Sequence, residues 1–571
     1  MVGIHPHNQA PELKDYNVYT SDPTLRSAVT RAGAAWHDAE LVRQGAEYGA
    51  EATLRAAEDA NHFEPELHTH SRTGERIDQV HFHPAWHSMM AMARRNGIAN
   101  LPFLDERPSA WSAHAASHYM HSQIESGSTC PTTMTKACIP LLRLNPALYA
   151  VVAPLLASRE HDARDLPLAQ KTSMAVGMGM TEKQGGSDVR TNTTRAVPHG
   201  HGAWGPEFLL TGHKWFFSAP MCDGHLVLAR TDATDPQGRT MSGPPPEGDK
   251  KTWGGPAFSR GITCFFVPRW RPDGSKNAIH IQRLKDKVGN RSNSSSEVEF
   301  TDAWGVLIGE EGRGIATIIE MATFTRLDCA LSSAGFIRQA FAQALHYTRN
   351  RHAFGKALAD QPLMAEVLAD MALESEAATL LAMDLATHFG STTPLDTAWR
   401  RVMTPVAKFW NCKRAVGLTG EAMEVFGGNG YVETGPMGRL FREAPVNSIW
   451  EGSGNVMCLD VLRAVSRNPD DAHLVLDHLH GVATQDTVVL AQLQKLRDAI
   501  QQPPETLERQ ARRFTQRLAL VTQACLMLQH ASADASAAFI GSRFDPDWGP
   551  VMGITAGIAN PAALLRAAWV E

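Results

Sequence analysis

The chain lacks any apolar run near the roughly 18 residues that a membrane-crossing helix needs, so no span is expected anywhere in its 571 residues. It also lacks an excess of basic charge. Lys+Arg number 54 against 60 Asp+Glu, a net of −6, which argues against general attraction to nucleic acid or to anionic membranes. Cysteines are few and scattered, eight in all with no C-x-x-C pair. Buried reduced thiols and a cytoplasmic setting are therefore expected, not a disulfide framework. The opening residues MVGIHPHNQAPELKDY have neither the basic n-region nor the apolar h-region of a secretory leader. No internal repeat is visible. One residue type stands in excess: there are 25 histidines.

What is present is ordinary globular composition, 43% hydrophobic and 20% charged, which rules out wholesale disorder. At about 150 residues per domain the length suggests three or four domains. Residues 1–45 read as an irregular arm leading into a helix. From 46 to 172, segments such as AWHSMMAMARRNGI and ALYAVVAPLLASRE have helical spacing. From 173 to 305 the character changes to short apolar or alternating runs separated by turn residues: MAVGMGM, EFLLTGHKWFFSA, HLVLAR, ITCFFVP, AIHIQRL and SEVEFT. That is a β region. Within it, residues 232–261 hold six Gly and five Pro and read as a surface loop. Helices return over 306–468, and a last helical region covers 469–571. Helices segregated from a central β layer fit neither a Rossmann alternation nor a TIM barrel.

Five stretches have chemical potential, and each has a plain structural alternative. In Met178–Asp188, Gly185 and Gly186 let backbone N–H groups approach a ligand, and Thr181 and Ser187 add hydroxyls; a simple hairpin turn is the alternative. In GHKWFFS, one of Phe216 and Phe217 enters the core while the other is available to a planar ligand, since neighbours on a strand alternate faces; a plain sandwich strand is the alternative. Arg351 and Phe354 follow a long helix and suit a phosphate ligand or an ordinary helix end. FGGNGY is a helix stop or a Gly-rich binding turn. In SIWEGSGN, Ile449 and Trp450 offer apolar surroundings for Glu451, as a general base needs; a structural turn glutamate is the alternative. The HFHPAWH stretch has no Cys or carboxylate at a recognisable zinc spacing, so no metal site is assigned.

Taken in order, TEKQGGSD, GHKWFFS, R-x-x-FG, FGGNGY and WEGSGN resemble the acyl-CoA dehydrogenase family of flavoproteins over roughly residues 50–465. HFHPAWH, GMGMTEKQGGSD, LKDKVGNRSNSSSEVEF and NSIWEGSGNVMCLDVLR are similar to its AidB-like, alkylation-response branch, which carries an extra C-terminal helical domain. The resemblance implies a mainly α fold: an N-terminal helical domain, a central β-barrel, a four-helix bundle and the C-terminal helices. It implies a homotetramer holding FAD. Met178, Met180, Thr181, Gly186 and Ser187 resemble the loop that contacts flavin and pyrophosphate, and Phe216 and Ser218 the second contact to the ring. Arg351, Phe354 and Gln361 resemble the group reaching the ADP part of FAD in a neighbouring subunit, and Gly427, Gly428, Ser453 and Asn455 the remaining dinucleotide positions. Glu451 falls on the family's catalytic base, with Arg326 near the substrate.

The implied reaction is α,β-dehydrogenation of an acyl thioester, with electrons passing to an electron-transfer flavoprotein or to oxygen. The competing implication is double-stranded DNA binding in the response to alkylation damage. Residues 461–571 hold 10 Lys+Arg and 11 Asp+Glu, whereas a phosphate-neutralising domain should be basic. Arg509, Arg512, Arg513 and Arg517 form the one local cluster there, read as a solvated face of a single helix. Nitroalkane oxidation, which uses an Asp base on this fold, is disfavoured by Glu451.

Overall fold

The computed structural model describes residues 7–231, 261–555 and 557–570. The loop expected over 232–261 lies outside them except for Gly261. Contacts divide the chain into two units, one of residues 1–55, 106–124 and 326–571, the other of residues 56–105 and 125–325. The chain is mainly helical, and among the described residues no helix is long and apolar enough to cross a membrane. All eight cysteines are free and buried.

The second unit holds the sheet. An antiparallel hairpin, β1 (Glu66–His70) and β2 (Arg76–His81), precedes helices Pro84–Arg95, Thr129–Leu142 and Pro146–Ala157. Seven strands follow: β3 (Val176–Gly179), β4 (Arg195–Gly202), β5 (Gly205–Phe217), β6 (Gly224–Thr231), β7 (Ile262–Pro268), β8 (Ile279–Leu284) and β9 (Ser296–Ile308). Their pairings run β6–β4–β5–β9–β7 and return to β6, with β3 added beside β6 and β8 beside β9. β3 and β4 are parallel to β6, and the other pairs are antiparallel. A barrel was expected here; the strands form one seven-stranded sheet whose β6–β7 pairing links the ends of the β6–β4–β5–β9–β7 path. β6 and β7 are buried at every position, which is why HLVLAR and ITCFFVP read as unbroken runs. Phe208, Leu210, Phe217, Val227, Phe265, Val267, Ile281, Val298 and Phe300 form the core inside the circuit.

The first unit is helical. Its long members are Pro362–Thr387, Pro394–Val425 and the portion of Gly314–Asn350 from Arg326 onward. The buried Asn411 amide ties all three, donating to Ala330 O at 3.4 Å and Ala378 O at 3.1 Å. The C-terminal helices Pro469–Val482, Thr487–Ile500, Ala511–His530 and Ala533–Arg543 are anchored by buried charge. Arg543 reaches Asp370 at 2.5 Å and Glu374 at 3.1 Å, and Arg414 reaches Glu374 at 3.0 Å. Burial pushes the Glu374 carboxyl up, and the two guanidiniums outweigh it, leaving the group below its usual value. Removing one partner from such a cluster costs far more than the cluster contributes net.

Candidate active site

In the sheet unit, β3 leads into the Met178–Asp188 stretch. Met178, Met180 and Thr181 are half-buried, while Gly186 and Ser187 are exposed. A wholly buried ion pair pins the stretch. Lys214 Nζ lies 2.7 Å from Glu182 Oε1, and both side chains have 0% exposure. Lys214 also donates to Leu228 O at 2.8 Å, while Glu182 accepts from Thr193 N at 2.7 Å and Thr194 Oγ1 at 2.6 Å. Burial alone would raise the Glu182 carboxyl; Lys214 and these donors hold it at about 2. Asn192 Nδ2 donates to Met180 O at 2.8 Å, and Trp215 N donates to Thr181 O at 2.9 Å. A Cβ on Gly186 would stand 2.5 Å from Thr181 Oγ1, so that glycine is required for the turn to close over Thr181.

β5 presents the GHKWFFS aromatics. Its register against β9 slips between Lys214 and Phe217. The extra residue of such a bulge lets both ends point inward, and Lys214 and Phe217 are indeed buried while Phe216 is 50% exposed. One Phe of the pair is thus core and the other is available at the surface, where Lys285 Nζ stands 4.6 Å from its ring centre. Ser218 Oγ lies 3.4 Å from Ser295 Oγ.

In the helical unit, Glu451 sits in the turn between helices Pro436–Asn447 and Gly454–Arg467. Its φ is +57°, a left-handed backbone that costs a non-glycine residue about 1–2 kcal/mol. Gly452 follows at φ +107°. Three successive carbonyls of this turn are held by cations. Arg326 Nε donates to Glu451 O at 3.0 Å, and its other arm pairs with Asp460 at 2.9 Å. Lys408, with 0% exposure, donates to Trp450 O at 2.9 Å and to Gly452 O. Trp450 Nε1 donates to Asn447 Oδ1 at 3.0 Å. Burial pushes the nearby Cys329 thiol well up; the Lys408 charge opposes this and the Glu451 charge adds to it. Ile449, expected as an apolar neighbour of Glu451, is 65% exposed.

Beside Glu451, Ser453 is the N-cap of helix Gly454–Arg467, whose first N–H groups suit an anion. Asn455 Oδ1 accepts from Arg512 of helix Ala511–His530 at 2.9 Å. The arginine cluster is therefore divided: Arg509 ends a separate helix, Pro504–Arg509, and Arg512 is engaged by Asn455 and stands over the Phe409 ring at 5.4 Å.

The remaining residues group at two helix ends. Arg351, just past Asn350, donates to Asn8 O, and Gln361 Nε2 donates to Ala353 O at 3.0 Å. Phe354 is 97% exposed at φ +52°. Gly427, at φ +60°, and Gly428 end the Pro394–Val425 helix, and neither has an atom within 4 Å of where a Cβ would stand. In HFHPAWH, His83 accepts from Ala85 N at 3.3 Å at a helix start, Phe82 stacks on Trp86 at 3.8 Å, and His87 Nδ1 lies 3.0 Å from His161 Nε2. Burial lowers both histidines, His161 to about 3, and the two line a cavity of about 430 Å³ within the sheet unit. Sequence reading missed Lys408 and the Arg512 contact. A lysine inside the apolar stretch TPVAKFWNC was the available signal for the first, since a buried cation demands partners.

A helical unit with a strained glutamate turn, and a sheet unit with a glycine turn and an outward aromatic, are the parts of an acyl-CoA dehydrogenase-type flavoprotein. Family models agree: the adaptive response protein AidB N-terminal domain matches residues 8–163, and the acyl-CoA dehydrogenase middle and C-terminal domains match 177–243 and 312–466. The chain is 44% identical to AidB of Escherichia coli over 92% of its own length and 91% of that protein. It superposes on Caenorhabditis elegans ACDH-11 in complex with C11-CoA with a TM-score of 0.84 and 25% identity, covering 97% of this chain and 95% of that one. An acyl-CoA dehydrogenase complexed with FAD from Bacillus anthracis shares the fold, with a TM-score of 0.61 and 16% identity over 80% of this chain and 79% of that one. The chain belongs to the acyl-CoA dehydrogenase family and is an oxidoreductase of the CH–CH class.

Proposed function

We propose that this protein dehydrogenates an acyl thioester between Cα and Cβ, with FAD as cofactor and Glu451 as the base. The observation that carries the reading is the Glu451 turn. A glutamate in left-handed backbone, with Arg326 and Lys408 on three consecutive carbonyls, is an over-determined strained residue of the kind that collects at reacting centres.

The residues present fit the cofactor. Phe216 offers an exposed ring for a planar face, the Thr181–Ser187 turn offers hydroxyls and free backbone, and Gly427 and Gly428 leave open space for a dinucleotide. In this reading Met178, Met180, Thr181, Gly186, Ser187, Phe216 and Ser218 hold the flavin end. Gly427, Gly428, Ser453 and Asn455 line the dinucleotide, and Arg351, Phe354 and Gln361 serve the site of a neighbouring copy in a homotetramer. The nearly full exposure of Phe354 supports that last role. When bound, the flavin supplies the acceptor for the hydride equivalent leaving Cβ. Glu451 takes the α-proton onto its carboxylate, and the thioester carbonyl, held by hydrogen bonds, carries the developing negative charge. Arg326 and Lys408 fix where that carboxylate stands. An electron-transfer flavoprotein or oxygen then removes the electrons.

Anaerobic titration of the FAD-loaded protein with a panel of acyl-CoA thioesters tests the proposal. Loss of the oxidised flavin absorbance with at least one thioester is expected; a flavin that no thioester reduces overturns it. Duplex DNA binding that weakens steeply with salt would instead favour the alkylation-response reading, against which stands the engagement of Arg512 by Asn455.

A further inference from the structure

Helix Ala110–Ile124 is buried at all 15 positions, although it carries histidines at 114, 118 and 121. His114 and His118 are one turn apart, so their rings share a face, with centroids 5.8 Å apart. Opposite them on helix Gly314–Asn350 stands Asp328, also buried. His114 Nε2 is 3.4 Å from Asp328 Oδ1, and His118 Nδ1 is 4.0 Å from Asp328 Oδ2. One ligand atom from each of the three residues lies within 4.8 Å of the others.

Those spacings are informative. A charge-assisted N–H···O⁻ contact closes to about 2.7–2.9 Å. Two ligands of a tetrahedral ion with bonds of about 2.0–2.2 Å are instead about 3.3–3.5 Å apart. The 3.4 Å His114–Asp328 contact, a long hydrogen bond as it stands, falls in the second range, and the His118 contact at 4.0 Å is longer than either. His118 Nε2 lies 2.8 Å from Ser332 Oγ, one turn beyond Asp328. With Ser332 as acceptor, the proton sits on Nε2 and the Nδ1 lone pair faces Asp328, as the outer partner of a metal-bound histidine arranges. Two imidazoles and one carboxylate suit a zinc-class ion and not magnesium or calcium, which prefer an all-oxygen shell.

We propose that His114, His118 and Asp328 form a buried site for one divalent zinc-class ion, completed by water, that staples helix Ala110–Ile124 to helix Gly314–Asn350. The site is independent of the flavin reading. Full-length protein purified without a metal-affinity step should hold one zinc ion per chain by elemental analysis. After dialysis against chelator it should take up one cobalt(II) with the visible absorption of a nitrogen-ligated tetrahedral centre, and its thermal midpoint should rise on zinc addition. His118→Phe should lower the metal content to about a tenth of an ion per chain or less, with FAD content unchanged, whereas His199→Ala, on an exposed strand, should leave it at one. Wild-type protein that holds no zinc and takes up no cobalt overturns the proposal, whatever the folding of the variants. So does full metal content in folded His118→Phe.

Discussion

Replacing Lys214 with methionine tests how the Met178–Asp188 stretch is held. Methionine keeps most of the apolar stem and deletes the ammonium. In the native protein that ammonium lies 2.7 Å from Glu182 and 2.8 Å from Leu228 O, with no exposure on either side of the pair. In Lys214→Met, Glu182 keeps its donors from Thr193 and Thr194 but loses its counter-ion. Breaking a buried pair from one side costs about 3–5 kcal/mol. Against its burial, the Glu182 carboxyl is held down from 4.5 to about 2 by Lys214 and its other donors, while burial lowers the Lys214 ammonium, so the intact pair contributes less than breaking it costs. Because the folded-state value is lowered, this stability is fully present above the unfolded value of 4.5 and is lost as pH falls toward 2. The gap between wild type and variant should therefore be widest near neutrality and shrink in acid. Urea unfolding at pH 7 and pH 4, followed by circular dichroism, measures it, and the double variant Lys214→Met, Glu182→Leu should recover much of the loss. A single variant within about 1 kcal/mol of wild type at pH 7, or a gap that does not narrow at pH 4, refutes the reasoning.

Lys408→Met removes the cation from Trp450 O and Gly452 O, releasing the Glu451 turn; a fall in kcat of about 10–100-fold with FAD retained is expected, and Lys408→Arg should recover part of it. Anaerobic reduction rates and flavin content measure both. His388 behaves oppositely to Glu182: burial alone would lower it, but Asp384 at 3.6 Å and Asp396 at 2.6 Å raise it above 6.5. Its contribution is fully present below pH 6.5 and is lost as pH rises through the higher folded value. Unfolding between pH 6 and 9 should show this loss, and His388→Gln should flatten that part of the profile.

The strands with an apolar signature, β3 and β5 to β9, were visible as sequence runs because interior strands carry Val, Ile, Leu and Phe at buried positions. β1, β2 and β4 were not visible. ELHTH and RIDQVH are mostly polar, with the first nowhere fully buried, and β4 contains Pro198, Gly200 and Gly202 around a register shift, the composition of a turn and not of a strand. Within the candidate site, the glutamate turn at 451 and one outward ring of the Phe216/Phe217 pair were readable from short motifs, but which ring faces out was not. Lys408 was not readable, and Arg326 was readable as substrate-proximal but not as the donor to Glu451 O, because the two stand 42 and 125 residues from the carbonyls they hold. Likewise, helical spacing made the 509–517 arginines look like one solvated face. The break at Gln510 and the Asn455 contact, 57 residues from Arg512, are tertiary facts.

The role of Glu451 as the base is tested directly by anaerobic flavin reduction with the best thioester in wild type and in Glu451→Gln, at matched FAD content. Glutamine keeps the shape and removes the proton acceptor, so the variant should bind FAD and thioester while its flavin stays oxidised. Reduction of the Glu451→Gln flavin at the wild-type rate would contradict this role.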